Sequence, residues 1–276
     1  MSAATPNITA EEIAELAEAL FRTHGFDFSA YSKASLKRRL TRVMMIKKLG
    51  FSELMHMVLH EPGFFHDFLD EITVNVTEMF RDPTFYKALA LEVVPHLSAF
   101  QEIKIWSAGC SSGEEAYSLA ILMSQFGLKD KTFVHGTDVN AAVLKEARRG
   151  SYSLRNMKTY AENYRLTGLA GSINDYFTTT YDTANIHSYF RQKAIFLEHN
   201  LVSDAAFDKF QLISCRNVFI YFETSLQEEI LDLFYRSLSP HGFLCLGSKE
   251  TIRSDKFKRK FKPVNVKENI YQKIDF

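Results

Sequence analysis

The chain has 276 residues, 33 of them basic and 33 acidic, with 46% hydrophobic and 24% charged residues. These are globular proportions that exclude a disordered or fibrous chain, and at about 100–200 residues per domain the length predicts one large domain and one small one. A formal charge of zero excludes global attraction to nucleic acid or membrane, and no apolar run approaches the roughly 18 residues of a membrane span. The first residues, Met1 to Pro6, carry neither a basic segment nor an apolar one, so no signal peptide is expected. Cys110, Cys215 and Cys245 are odd in number and far apart, which fits a reducing cytoplasm better than a disulfide framework or a zinc cage.

In chain order, residues 1–70 read as an all-helical unit. Thr9 and Glu12 form a T-x-x-E capping box ahead of Ile13, Leu16, Leu20 and Phe21. A second helix is predicted from about Ser35 to Lys48, with Leu36, Leu40, Val43 and Met44 on one arc and Arg38, Arg39 and Arg42 opposite. From Tyr31 to Gly50 there are seven Lys or Arg and no acid, a basic patch hidden by the neutral total. Further helices are predicted over Ser52–His60 and Phe64–Ile72. Residues 71–82 form a linker, and Asp82-Pro83 signals a helix start with Asp as its N-cap.

Beyond the linker the pattern changes. Strands are predicted at Ile103–Trp106, Thr132–Thr137, Ala194–Leu197, Phe210–Ser214 and Phe243–Leu246, with helices at Ala116–Phe126, Ala141–Arg149 and Ser225–Leu238. Strands alternating with helices predict a mostly parallel, doubly wound α/β sheet across 83–276. Residues 152–192 are polar and rich in Thr and Tyr, too long for an ordinary loop, and read as an inserted small β-subdomain. The basic stretch Lys256–Lys262 reads as a solvated, partly packed strand or turn.

The run Ile105-Trp106-Ser107-Ala108-Gly109-Cys110-Ser111-Ser112-Gly113-Glu114-Glu115 joins a buried strand to a helix through small residues, so a ligand can approach the backbone closely. A dinucleotide site would want G-x-G-x-x-G and a free helix N-terminus for pyrophosphate. Here Glu114 and Glu115 would repel a diphosphate, whereas the sulfonium and ammonium of S-adenosylmethionine tolerate carboxylates. Asp138, twenty-five residues after Gly113 and ending the next strand, is placed to accept from both ribose hydroxyls. The plainer alternatives are helix-dipole partners for Glu114 and Glu115 and a helix N-cap for Asp138.

Three segments, Asn75-Val76-Thr77-Glu78-Met79-Phe80-Arg81-Asp82, Ser112-Gly113-Glu114-Glu115-Ala116-Tyr117-Ser118 and Ser214-Cys215-Arg216-Asn217-Val218-Phe219-Ile220-Tyr221-Phe222, together resemble the signatures of the chemotaxis-receptor methyltransferases, the CheR protein-glutamate O-methyltransferases. The resemblance spans nearly the whole chain. It implies a class I S-adenosylmethionine-dependent methyltransferase fold with an all-α N-terminal docking domain and a β-subdomain insertion. It further implies that Asn75, Thr77 and Arg81 reach the cofactor, Arg81 gripping its carboxylate. By the same resemblance Glu114 meets the amino-acid or ribose end, Asp138 the ribose, Asn200 and Leu201 the adenine, and Arg216 and Asn217 the space beside the methyl group. Arg216 and Tyr221 are candidates for orienting the incoming glutamate. No general acid or base is expected, because a glutamate of pKa about 4.3 is already ionised at neutral pH.

The implied partners are cytoplasmic helices of methyl-accepting receptors, docked on Arg38, Arg39 and Arg42. Some members of the family tether a receptor-tail pentapeptide through a Gly-containing loop in the insertion. Tyr181 to His187 contains no Gly, which favours a tether-independent mode. No metal is expected: His56 and His60 share a helical face but lack a third ligand. Cys110 is read as a small loop residue, not a nucleophile. A nucleic-acid methyltransferase is the first rival, disfavoured by the absence of a Pro-Pro-Tyr-type motif. A non-catalytic methyltransferase-fold adaptor is the second, and a nicotinamide dehydrogenase the third.

Overall fold

A computed structural model describes residues 8–61, 63–73 and 76–275. The chain divides into two compact units, residues 1–75 with 220–229, and residues 76–219 with 230–276.

The first unit is built on four helices, α1 (Ala10–His24), α2 (Lys33–Lys47), α3 (Phe51–His60) and α4 (Phe64–Ile72). The capping box at its start is formed: Thr9 accepts from the Glu12 N–H and Glu12 accepts from the Thr9 N–H. Helix α1 ends where Gly25 adopts φ 72, a left-handed conformation that suits glycine. The apolar faces close on Leu16, Leu20, Leu36, Leu40, Val43, Leu54, Val58 and Phe68, which is the burial that makes such short helices stable.

The second unit opens with α5 (Pro83–Ala88), a π-helical turn (Leu89–Val93) and α6 (Val94–Leu97). Next come β1 (Ile103–Ala108), α7 (Glu114–Gln125), β2 (Thr132–Asp138) and α8 (Ala141–Arg149). After them the chain forms β3 (Ser151–Ser153), α9 (Leu154–Thr167), β4 (Phe177–Thr179), β5 (Thr183–Ile186), α10 (Ser188–Lys193) and β6 (Ala194–Glu198). It closes with β7 (Phe210–Cys215), α11 (Thr224–Ser237, of which residues 224–229 count with the first unit), β8 (Leu238–Leu246), α12 (Asp255–Lys258), β9 (Phe261–Asn265) and β10 (Ile270–Lys273). The main sheet has the order β6-β2-β1-β7-β8-β10-β9. Its first five strands are parallel, and β10 runs antiparallel to β8 and β9. This is the mostly parallel α/β sheet that the alternating pattern predicts.

Between α8 and β6, the strands β3, β5 and β4 form a separate antiparallel sheet. Helix α9 is a 14-residue element that polarity alone conceals in the sequence. Its buried positions, Met157, Tyr160, Tyr164 and Thr167, follow helical spacing, but two of the four are tyrosines and one is a threonine. Lys256–Lys262 is partly packed, as expected, and runs from the end of α12 through a turn into β9, with Phe257 and Phe261 buried; the short helix α12 is the part the sequence reading did not anticipate.

Candidate active site

The loop after β1 is held open by its own backbone. Gly109 and Cys110 both donate N–H groups to the Thr137 carbonyl at 2.8 Å, pinning the loop to the neighbouring strand. Gly109 (φ 74), Ser111 (φ 50) and Gly113 (φ 90) adopt left-handed conformations. A Cβ on Gly109 would stand 2.5 Å from Val218 Cγ2, so only glycine fits there. The same applies at Gly136 in β2, where a Cβ would lie 2.7 Å from the Phe196 ring.

Asp138 ends β2 as expected, but it does not cap α8. That N-cap is Asn140, whose side chain accepts from the Ala142 N–H. Asp138 Oδ2 accepts from the Ser111 N–H at 2.9 Å and Oδ1 from the Asn140 N–H at 3.0 Å. Its carboxyl therefore faces the loop, with acceptor capacity left for an incoming hydroxyl. Burial pushes its pKa above the usual range, opposed by three backbone N–H donors.

Glu114 and Glu115 open α7, where carboxylates suit the helix dipole, yet each is also committed to a tertiary partner. Glu114 is buried and accepts from Tyr160 Oη at 3.0 Å and from Ser112 Oγ at 2.7 Å. Burial raises its pKa despite these donors. Glu115 accepts from Ser107 Oγ at 2.9 Å and from Arg216 Nη1 at 3.4 Å.

Arg216 is a buried hub. Its side chain is 3% exposed, with Nη2 2.7 Å from Asp82 Oδ2. Both terminal nitrogens lie 3.4 Å from the Arg81 carbonyl, and the guanidinium carbon sits 3.8 Å from the Phe85 ring centroid. Burial works against its charge, but Glu115, Tyr86 and Asp82 outweigh it and leave the pKa raised. Asp82 occupies the N-cap position of α5, but makes no capping bond and gives its carboxylate to Arg216 instead.

The turn that carries Arg81 is strained, with Phe80 (φ 53) and Asp82 (φ 57) both left-handed. It is held by the Phe80 N–H on Ser118 Oγ and by Asn163 Nδ2 on the Met79 carbonyl. Arg81 itself is partly exposed, its Nη1 donating to the Val76 carbonyl at 3.0 Å, and Thr77 is half-buried. Asn75 lies outside the described residues.

Asn200 and Leu201 follow β6 and are half-buried. Asn200 Oδ1 accepts from the Val202 N–H, and the preceding His199 donates its N–H to the Asp138 carbonyl. Asn217 adopts φ 63, with its N–H on Glu250 Oε2 at 2.9 Å. The structure thus links Arg81, Glu115 and Arg216 in one cluster, and Asp138, Ser111 and the segment before Asn200 in another. Tyr221, Arg38, Arg39 and Arg42 belong to the helical unit. Arg38 and Arg42 are exposed. Arg39 is half-buried, reaches the carbonyls of Glu71 and Thr73, and lies 5.6 Å from the Tyr221 ring centroid.

Sequence reading missed Asp82 as a partner of Arg216, Tyr160 as a partner of Glu114, and Glu250. Glu250 is buried and accepts from the N–H groups of Asn217 and Gly247. An acid three residues beyond a glycine at a strand end was the one available signal for it.

The donor set fits S-adenosylmethionine: small residues open the loop, and carboxylates line a region where a diphosphate would need cations. Among the described residues no group of His, Cys, Asp or Glu could hold a metal ion, and no helix is long and apolar enough to cross a membrane. Residues 75–270 match the family model described as CheR methyltransferase, SAM binding domain, and residues 11–73 match CheR methyltransferase, all-alpha domain. A Pseudomonas putida protein called "Putative methyltransferase Cher3" is 43% identical over 95% of this chain and 96% of its own. A chemotaxis protein methyltransferase of Listeria monocytogenes is 33% identical over 84% and 86%, and one of Borreliella burgdorferi 29% identical over 95% and 96%. With the sheet, the glycine-lined loop and both domain matches in agreement, the chain belongs to the CheR family of S-adenosylmethionine-dependent chemotaxis methyltransferases.

Proposed function

We propose that the protein transfers a methyl group to glutamate side-chain carboxylates on the cytoplasmic helices of chemoreceptors, and so works in the cytoplasm. The observation that carries this reading is the pair of buried carboxylates, Asp138 and Glu114, set around a glycine-lined loop. Such a site suits a cationic nucleoside without phosphate. In this reading Asp138 takes the ribose, Glu114 the amino-acid or ribose end, and Arg81 the carboxylate, while Asn75 and Thr77 are further cofactor-binding residues. Asn200 and Leu201 border the adenine, and Asn217 lines the methyl pocket. Arg216, enclosed by Asp82 and Glu115, acts by fixing the turn that presents Arg81. Tyr221 remains the candidate for orienting the incoming glutamate.

The bound cofactor supplies an electrophilic methyl group on a sulfonium and departs as S-adenosylhomocysteine. The acceptor carboxylate is already ionised, so the protein need not move a proton. Its part is to bind, to align oxygen, carbon and sulfur, and to keep water away while opposite charges vanish. Arg38 and Arg42, exposed on α2, are the first choice for meeting acidic receptor helices, with Arg39 contributing less because its guanidinium is turned into its own unit.

Labelled S-adenosylmethionine incubated with the protein and receptor-containing membranes should leave a base-labile methyl ester on receptor glutamates. Arg81→Ala and Asp138→Ala should each weaken cofactor binding at least about tenfold, about 1.4 kcal/mol. Base-stable label, label in oligonucleotides, or unchanged titration of both variants overturns the reading.

A further inference from the structure

Helix α9 carries three contacts toward the cofactor region on one face, since positions 156, 160 and 163 follow helical spacing. Tyr160 Oη donates to Glu114 Oε1 at 3.0 Å. Asn156 Nδ2 lies 3.5 Å from the same hydroxyl. Asn163 Nδ2 donates to the Met79 carbonyl at 3.0 Å. From β3, Tyr152 Oη donates to the Ser112 carbonyl at 2.9 Å. The inserted segment therefore grips both the loop after β1 and the turn before Arg81.

We propose that Tyr160 is a positioning residue for cofactor binding, acting through Glu114. This rests on the assignment of Glu114 to the cofactor. Glu114 is buried, 4% exposed. Among its charged neighbours, Glu146 on α8 adds to the cost of keeping it ionised. Its own backbone N–H and two hydroxyls do the stabilising, Ser112 on one oxygen and Tyr160 on the other. A carboxylate without such donors protonates when buried and no longer attracts a cationic ligand. Tyr160 also fixes its direction, because a donor on each oxygen leaves the carboxylate little freedom to rotate.

Tyr160→Phe deletes the donor while keeping the ring and its edge contact with Tyr152. Removing that donor raises the Glu114 pKa further, so the variant's affinity should fall as pH is lowered, starting from a higher pH than in the wild type. Calorimetric titration with S-adenosylmethionine from about pH 5.5 to about pH 8 compares wild type, Tyr160→Phe, Glu114→Gln and the double variant. Tyr160→Phe should raise Kd about tenfold near neutrality and move the acid limb upward. Glu114→Gln should weaken binding and flatten the limb, and adding Tyr160→Phe to it should cost nothing more. If Glu114→Gln weakens binding but Tyr160→Phe stays within about twofold of wild type, or costs the same in both backgrounds, the positioning role is wrong and the site assignment stands. If Glu114→Gln binds like wild type, the assignment of Glu114 to the cofactor falls and the proposal with it.

Discussion

Replacing Arg216 by Met removes the one cation shared by Asp82 and Glu115 while roughly preserving side-chain bulk against Phe85. Breaking a buried ion pair from one side costs about 3–5 kcal/mol, because the remaining charge is left without compensation. Here the figure must be reduced. The Asp82 side chain is 37% exposed and can recruit water, and Glu115, 16% exposed, keeps its bond from Ser107. The stack over Phe85, at 3.8 Å, adds about 1 kcal/mol. A net loss of about 2–4 kcal/mol is expected for the α/β unit. Urea unfolding followed by circular dichroism reads this as a midpoint lowered by about 1 M, for a slope of about 2–3 kcal/mol per molar. Arg216→Lys keeps the charge but cannot reach Asp82, Glu115 and the Arg81 carbonyl at once, so it should recover only part of the loss. A loss below about 1 kcal/mol for the Met variant, or a Lys variant as stable as wild type, would refute the hub.

Gly109→Ala meets a left-handed backbone, worth about 1–2 kcal/mol, and a 2.5 Å approach to Val218 Cγ2, worth about 1–3 kcal/mol. Adding Val218→Ala should return the second part and not the first. Thermal denaturation checks this, and complete recovery or none would show that the two costs are misassigned. Cys110, Cys215 and Cys245 are buried, with thiols pushed up by that burial. A thiol reagent should therefore leave all three untouched in the native protein and label all three in denaturant. Rapid native labelling of Cys110 would mean that the loop after β1 opens readily.

Much of the architecture could be read locally, for reasons visible in single segments. The Thr9–Glu12 box marks its helix because both partners lie within one turn. The parallel strands show as apolar runs such as Ile103–Trp106 because both faces of the sheet are covered. Helix α9 was hidden because tyrosine and threonine make up most of its buried face, and β9 because Lys260 and Lys262 flank its buried Phe261.

The amino-acid order by itself determined the periodicities, the caps, the glycine-lined turn after the first strand and the acid that ends the second. These depend on neighbours within a few residues, where backbone geometry allows few alternatives. Only the tertiary structure decided what each charge faces. Arg216 finds Asp82 from 134 positions away, Tyr160 finds Glu114 from 46 and Glu250 finds the Asn217 amide from 33. Such pairings have no period. They arise when the strand order β2-β1-β7-β8 brings successive strand ends side by side, and burial there leaves each charge in need of whichever partner the fold delivers.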